Sequence, residues 1–161
     1  MKFTNPEQVG YLQWLCNKYG DFKICTHNKD GTWTKHSSVM WCWEKIDEEG
    51  WRLDQANNRT PTPPETILDL DVKTPEEGLI RIKEIVDELR ELNENFKVYF
   101  SGSKGYHIHI IDPELKKTNF QLLGKLLGTD IALLNYKNNH MIALEGAPHW
   151  KTGNKKVEVF L

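Results

Sequence analysis

No apolar run in this 161-residue sequence approaches the roughly 18 residues a membrane span requires, so no membrane association is expected. The opening stretch, MKFTNPEQVGYLQ, lacks the apolar centre of a secretory signal, which points to an intracellular, cytoplasmic protein. Cysteine is scarce: Cys16, Cys25 and Cys42 form no CxxC pair. An odd number without a secretory signal argues against a disulfide framework. Cys25, His27, His36 and Cys42 fit no zinc spacing, so buried or half-buried free thiols and no structural zinc are expected. Repeats and low-complexity tracts are absent. Net charge is small as well, at −2, and the chain as a whole does not announce a nucleic-acid partner.

The length suffices for one domain, residues 1–161, with a sizeable core. Apolar residues make up 39% and charged residues 27%, ordinary for a globular protein. Charge is unevenly spread. Residues 101–161 hold eight lysines against five acids, whereas residues 1–100 hold thirteen basic residues against eighteen acids. The basic surplus begins at the loop SGSKG, compatible with a phosphate-facing surface there.

The pattern predicts an opening helix in NPEQVGYLQWLCNKYG, capped by Asn5, with Pro6 in its first turn and Gly20 at its end. DFKICTH and TWTKHSSVMWCW read as strands around the turn NKDG. ANNRTPTPPE reads as a polar, Pro-rich connection between an N-terminal αβ unit, 1–60, and a second unit, 66–161. The second unit runs TILDLDV (strand), TPEEGLIRIKEIVDELRELN (helix capped by Thr74), FKVYF (strand), YHIHII (strand), TNFQLLGKLLG (helix) and DIALL. HMIAL is a further short apolar segment, and KKVEVFL reads as a closing strand. This β-α-β-β-α-β order predicts an α+β fold of the ferredoxin-like, RRM-like kind. The six tryptophans are expected mostly in the core.

Several stretches could carry chemistry. Asp69 and Asp71 lie two apart on an expected strand and so share a face, where two carboxylates need a cation or a proton to coexist. Hard divalent ions suit such oxygen ligands. In SGSKG, Gly102 and Gly105 allow backbone N–H groups to approach an anion, Ser101 and Ser103 can donate, and Lys104 adds charge; a hairpin turn would use the same residues. His107 and His109 share a strand face. Asp130 opens a short apolar segment, and His149, Lys151 and Thr152 sit in a basic, turn-rich loop.

Taken together and in order, DLD, SGSKGYH, Asp130 and HMIALEGAPHWKTG resemble the motifs of the archaeo-eukaryotic primase superfamily. The resemblance covers residues 66–160 well and 20–60 more loosely. It implies a primase-polymerase type of catalytic core that adds nucleotides from NTP or dNTP to a growing strand. Asp69, Asp71 and Asp130 would hold two divalent ions, Mg²⁺ or Mn²⁺. Ser101, Gly102, Ser103, Lys104 and His107 would grip the triphosphate, with His149 and Lys151 near the incoming nucleotide. Implied partners are single-stranded DNA template and primer, with a primase large subunit or helicase as candidates, in a prokaryotic, viral or plasmid-borne setting. The sequence departs from the family in having Ala143 where a basic residue usually stands. Ser103 and Lys104 stand where the family's second motif often has Arg. The zinc motif and helical insertion of many small subunits are absent.

Two other readings follow from the same residues. His107, His109 and Tyr136 could form the metal site and nucleophile of a single-strand endonuclease of the HUH type. Alternatively, the chain could be a non-catalytic nucleic-acid-binding primase subunit.

Overall fold

Asn5 starts the first helix by accepting a hydrogen bond from the Gln8 amide, and Gly20 ends it at a φ of +97°. The computed structural model describes residues 2–111 and 131–161. Helix α1, Pro6–Tyr19, turns Val9, Leu12, Leu15 and Cys16 inward. It packs on a small antiparallel sheet made of β1 (Lys23–Cys25), β2 (Ser37–Ser38), β3 (Asn58–Arg59) and β8 (Ile142–Ala143), in the order β2-β1-β3-β8.

Two expectations for this region are corrected. The apolar run VMWCW is helix, not strand: Val39–Glu44 forms α2. Ser38 accepts from the Trp41 amide and donates to Asp21, so a built cap decides between two periods that a short apolar run leaves open. Val39 and Cys42, three apart, then face the core. Ile46–Glu49 (α3) and Trp51–Gln55 (α4) continue as short helices. The stretch ANNRTPTPPE is not a simple exposed connection. Asn58 and Arg59 form the middle strand β3, and Ala56, Arg59, Thr60 and Thr62 are buried. Their polar groups are satisfied at long range, which composition cannot show.

A second, five-stranded antiparallel sheet runs β7-β4-β6-β5-β9, from β4 (Glu65–Leu70), β5 (Phe96–Phe100), β6 (Tyr106–Ile111), β7 (Ile131–Asn135) and β9 (Val157–Val159). The fold is therefore mixed α+β with two antiparallel sheets. Helix α5, Pro75–Glu91, begins at Thr74, whose hydroxyl accepts from the Glu77 amide. It buries Ile82, Ile85, Val86 and Leu89 against Leu68, Leu70, Val98, Tyr106, Ile108 and Ile110. Alternation then turns Glu65, Ile67 and Asp69 of β4, and His107 and His109 of β6, to the other face, toward the small sheet. The two sequence units are not separate in space. β8 leaves the second unit to pair with β3 of the first.

The tryptophans are a further correction. Trp14, Trp33, Trp41, Trp43 and Trp51 are all exposed, from 36% to 51% of their surface, and Trp150 is half-buried. Core volume comes instead from Leu, Ile, Val and Phe22. The three cysteines are buried and free, and burial pushes the Cys25 thiol up to about 12. Among the described residues, no helix is long and apolar enough to cross a membrane. The expected helix TNFQLLGKLLG and Asp130 lie outside the described residues.

Candidate active site

The end of β4, the 101–105 loop, β6, β8 and the turn after it converge on one cleft of about 350 Å³. Eight of the candidate site residues singled out in the sequence line it: Asp69, Asp71, Ser101, Ser103, Lys104, Gly105, His107 and His149. Gly102 lies behind the wall, and Lys151 faces an adjoining hollow that shares His149 and Trp150. Asp71 is not on the strand as expected. β4 ends at Leu70, so Asp71 is exposed at its tip while Asp69 stays half-buried.

Two glycines tie the loop to its neighbours. At Gly105 an added Cβ would lie 2.7 Å from the Leu70 carbonyl oxygen, so the loop rests on the backbone between Asp69 and Asp71. At Gly102, φ is +91°, and a Cβ would lie 2.7 Å from the Asn154 carbonyl oxygen. Thr152 donates its hydroxyl to the Gly102 carbonyl at 2.6 Å. The loop is thus wedged between the two other stretches, DLD and HWKTG. The HWKTG turn is organised by His149, whose Nδ1 accepts from the Lys151 and Thr152 amides at 3.2 and 3.3 Å. Burial, aided by nearby His27 and Lys151, holds this imidazole below its usual value, so the neutral ring carries its proton on Nε2.

His107 sits directly across the ladder from Asp69, with Nε2 3.3 Å from Asp69 Oδ1. Burial opposes the Asp69 charge, but the His107 hydrogen bond and nearby positive charge outweigh it and hold the carboxyl below its usual range. Burial, then Lys156, keeps His107 below its ordinary value. With Asp69 ionised, Nε2 is the donor. Among the described residues, Nδ1 of His107 is buried without a hydrogen-bond partner.

His109, two residues on, is the hub of a closed network. Its Nδ1 is 3.0 Å from Glu65 Oε2 and 3.2 Å from Glu145 Oε1, and its Nε2 is 2.9 Å from Lys156 Nζ. An ammonium only donates, so Nε2 accepts and Nδ1 carries the proton. Arg59 completes the group, pairing with Glu65 at 2.7 Å and with Glu145 at 2.5 Å. Two buried carboxylates are thereby offset by two buried cations. Burial opposes the charge of Glu65 and Glu145, yet Arg59 holds both far below the carboxylate range. Burial lowers Lys156 to about 8 and His109 to about 4. His109 is 2% exposed and both its ring nitrogens are engaged, so it sits behind the cleft and not in it. Tyr136, in the 3₁₀ turn Tyr136–Asn138, is exposed and is not among the residues lining the cleft.

Glu65, His109 and Glu145 bring ligand atoms within 4.8 Å of one another and could hold a metal ion. Arg59 and Lys156 already neutralise that cluster, so a metal would have to displace a buried cation.

The network makes stability pH-dependent. In the unfolded chain His109 titrates near its ordinary value of 6.5, in the fold at about 4. Between those values the unfolded state binds the extra proton, so stability falls as pH is lowered through the window. His107, also held low, adds in the same direction, and the depressed carboxylates Glu65, Glu145 and Asp69 extend the loss below about pH 4.5. Urea unfolding from pH 8 to pH 4 should show a loss of roughly 3 kcal/mol by pH 4. A flat profile from pH 7 to 4.5 would contradict a neutral buried His109.

Sequence reasoning did not assign Arg59, Glu65, Glu145 or Lys156, nor the cleft residues His27, Trp33, Asn57, Asn58 and Trp150. Arg59 was hidden by its Pro- and Asn-rich surroundings, and its partner Glu145 is 86 residues away. The available signal was Glu65 and His109, which alternate onto the same sheet face as Asp69 and His107. No protein-family model matches the sequence, and no curated protein shows significant similarity to it.

Proposed function

We propose that this chain is a primase-polymerase type nucleotidyltransferase, adding nucleotides from NTP or dNTP to a strand paired with a single-stranded DNA template. The observation that carries this reading is the convergence of DLD, SGSKG and HWKTG on one cleft, with Gly102 and Gly105 in backbone contact with the other two stretches. The strand order supports it too. Taking β4, β5, β6 and β7 as first to fourth, the sheet runs fourth-first-third-second, all antiparallel, as in ferredoxin-like and RRM-like folds. β9 then extends the edge beyond β5.

Asp69 and Asp71 both line the cleft and are the oxygen-donor type a hard divalent ion takes, and Asp69 is kept ionised with His107 beside it. Asp130 is the proposed third ligand. Mg²⁺ or Mn²⁺ held there would supply charge neutralisation and Lewis acidity for an in-line displacement at phosphorus. The chain's own part is positional. Lys104 and the 101–105 backbone receive the phosphates, and His107, in the same cleft, holds Asp69 through Nε2. His149, packed beside Gly102, presents an Nε2–H donor to the same cleft. Ala143 lines the cleft where the family usually has a cation, so less phosphate charge is met directly here.

The test is incorporation of labelled ribo- and deoxyribonucleotides on primed and unprimed single-stranded templates with Mg²⁺ or Mn²⁺. Template-directed product is expected. No product under any of these conditions, together with retained single-strand binding, would favour the non-catalytic reading. Strand cleavage with a covalent link to Tyr136 would replace the proposal with the nuclease.

A further inference from the structure

The same cleft carries a column of stacked rings. His27 lies 3.7 Å from Trp33 at 16° and 4.0 Å from Trp150 at 28°, centroid to centroid, so both faces of the imidazole are covered by indoles. All three line the cleft that holds Asp69, Lys104 and His107. The column is held before any ligand arrives. His27 and Trp33 face each other as a bridge across the hairpin of residues 26–34, whose turn is closed by Asp30 accepting from the Thr32 amide and hydroxyl. The Asn57 side chain accepts from the His27 amide at 2.7 Å and donates to its carbonyl at 2.9 Å.

A planar ring has two faces. His27 occupies one face of Trp33, yet Trp33 remains 49% exposed, so its open surface is the other face and the edge. A large aromatic left bare in a polar cleft, beside ordered rings, is a place for one more ring. Its preordered geometry removes most of the ordering cost that a mobile side chain would impose on binding.

We infer that Trp33, backed by His27 and Trp150, is a nucleobase-stacking site for the nucleotide whose phosphates the 101–105 loop takes. The ring of a purine or pyrimidine continues the column while its phosphates reach Lys104 across the cleft. This rests on the reading of the cleft as a nucleotide site and adds the residue that holds the base. A cleft of about 350 Å³ lies in the range of small-molecule sites.

Calorimetric titration of the full chain with ATP and with inorganic tripolyphosphate, each with Mg²⁺, separates base from phosphate. Stacking on an aromatic side chain predicts that Trp33→Ala weakens ATP binding between about fivefold and about a hundredfold. Tripolyphosphate affinity should be unchanged, and Trp33→Phe should restore most of the loss. If Trp33→Ala leaves ATP binding intact, or weakens both ligands equally, the stacking site is overturned while the phosphate site stands. If wild type binds neither ATP nor tripolyphosphate, the nucleotide reading fails and the stacking site fails with it.

Discussion

Asp69→Asn lowers nucleotide incorporation by about a thousandfold or more while leaving the fold intact. The substitution keeps the shape and an oxygen that can accept from His107 Nε2, now at 3.3 Å, so the strand pairing and the buried imidazole keep their partner. What disappears is the negative charge. A metal site that stabilises charge in the transition state supplies several kcal/mol, and each 1.36 kcal/mol is a factor of ten in rate. Asp71→Asn, at the exposed tip of β4, should cause a loss of similar order. Steady-state incorporation checks both, with thermal unfolding alongside to confirm the fold. Activity within tenfold of wild type in Asp69→Asn would remove this carboxylate from the reaction.

Arg59→Met destabilises the chain by about 3–5 kcal/mol. The arginine is fully buried, and all three guanidinium nitrogens donate to Glu65 or Glu145. Methionine fills much of the volume but leaves two buried carboxylates with Lys156 beside them. That loss is a large share of the 5–15 kcal/mol by which a domain is ordinarily stable. Arg59→Lys, which keeps a charge but not the two-pronged geometry, should fall between the two. Urea denaturation measures the series, and soluble yield reports the Met variant if it is too unstable to titrate. A cost below about 1 kcal/mol for Arg59→Met would mean that the network is not what joins the two sheets.

What could be read in the sequence follows from how local each cause is. Helix α5 was legible because its cap at Thr74 and its apolar stripe lie within one segment. Strands β4, β5 and β6 were legible as short apolar-rich runs, whereas the pairing of Asp69 with His107 depends on their register, which no local pattern gives. The cleft was legible only as separate motifs, since nothing local says that Gly105 rests on Leu70 or that Gly102 packs on Asn154. Arg59 was missed for the same reason in sharper form. A buried cation can look like a loop residue when its partners are Glu65 and, on a distant segment, Glu145. The tryptophans misled in the opposite direction: size suggested core, but the interior was filled by aliphatic residues and the indoles were left outside. The two histidines of HIH read alike in the sequence, and only the fold separates them: His107 faces Asp69, whereas Lys156 and Glu65 engage the nitrogens of His109.

The most direct measurement is a crystal of the wild-type chain grown with Mn²⁺ and a non-hydrolysable nucleoside triphosphate, read by anomalous scattering. The predicted result is a Mn²⁺ peak at coordination distance from the carboxylates of Asp69 and Asp71, with the triphosphate against the 101–105 loop. A peak instead among Glu65, His109 and Glu145, or nucleotide bound outside the cleft, would contradict it.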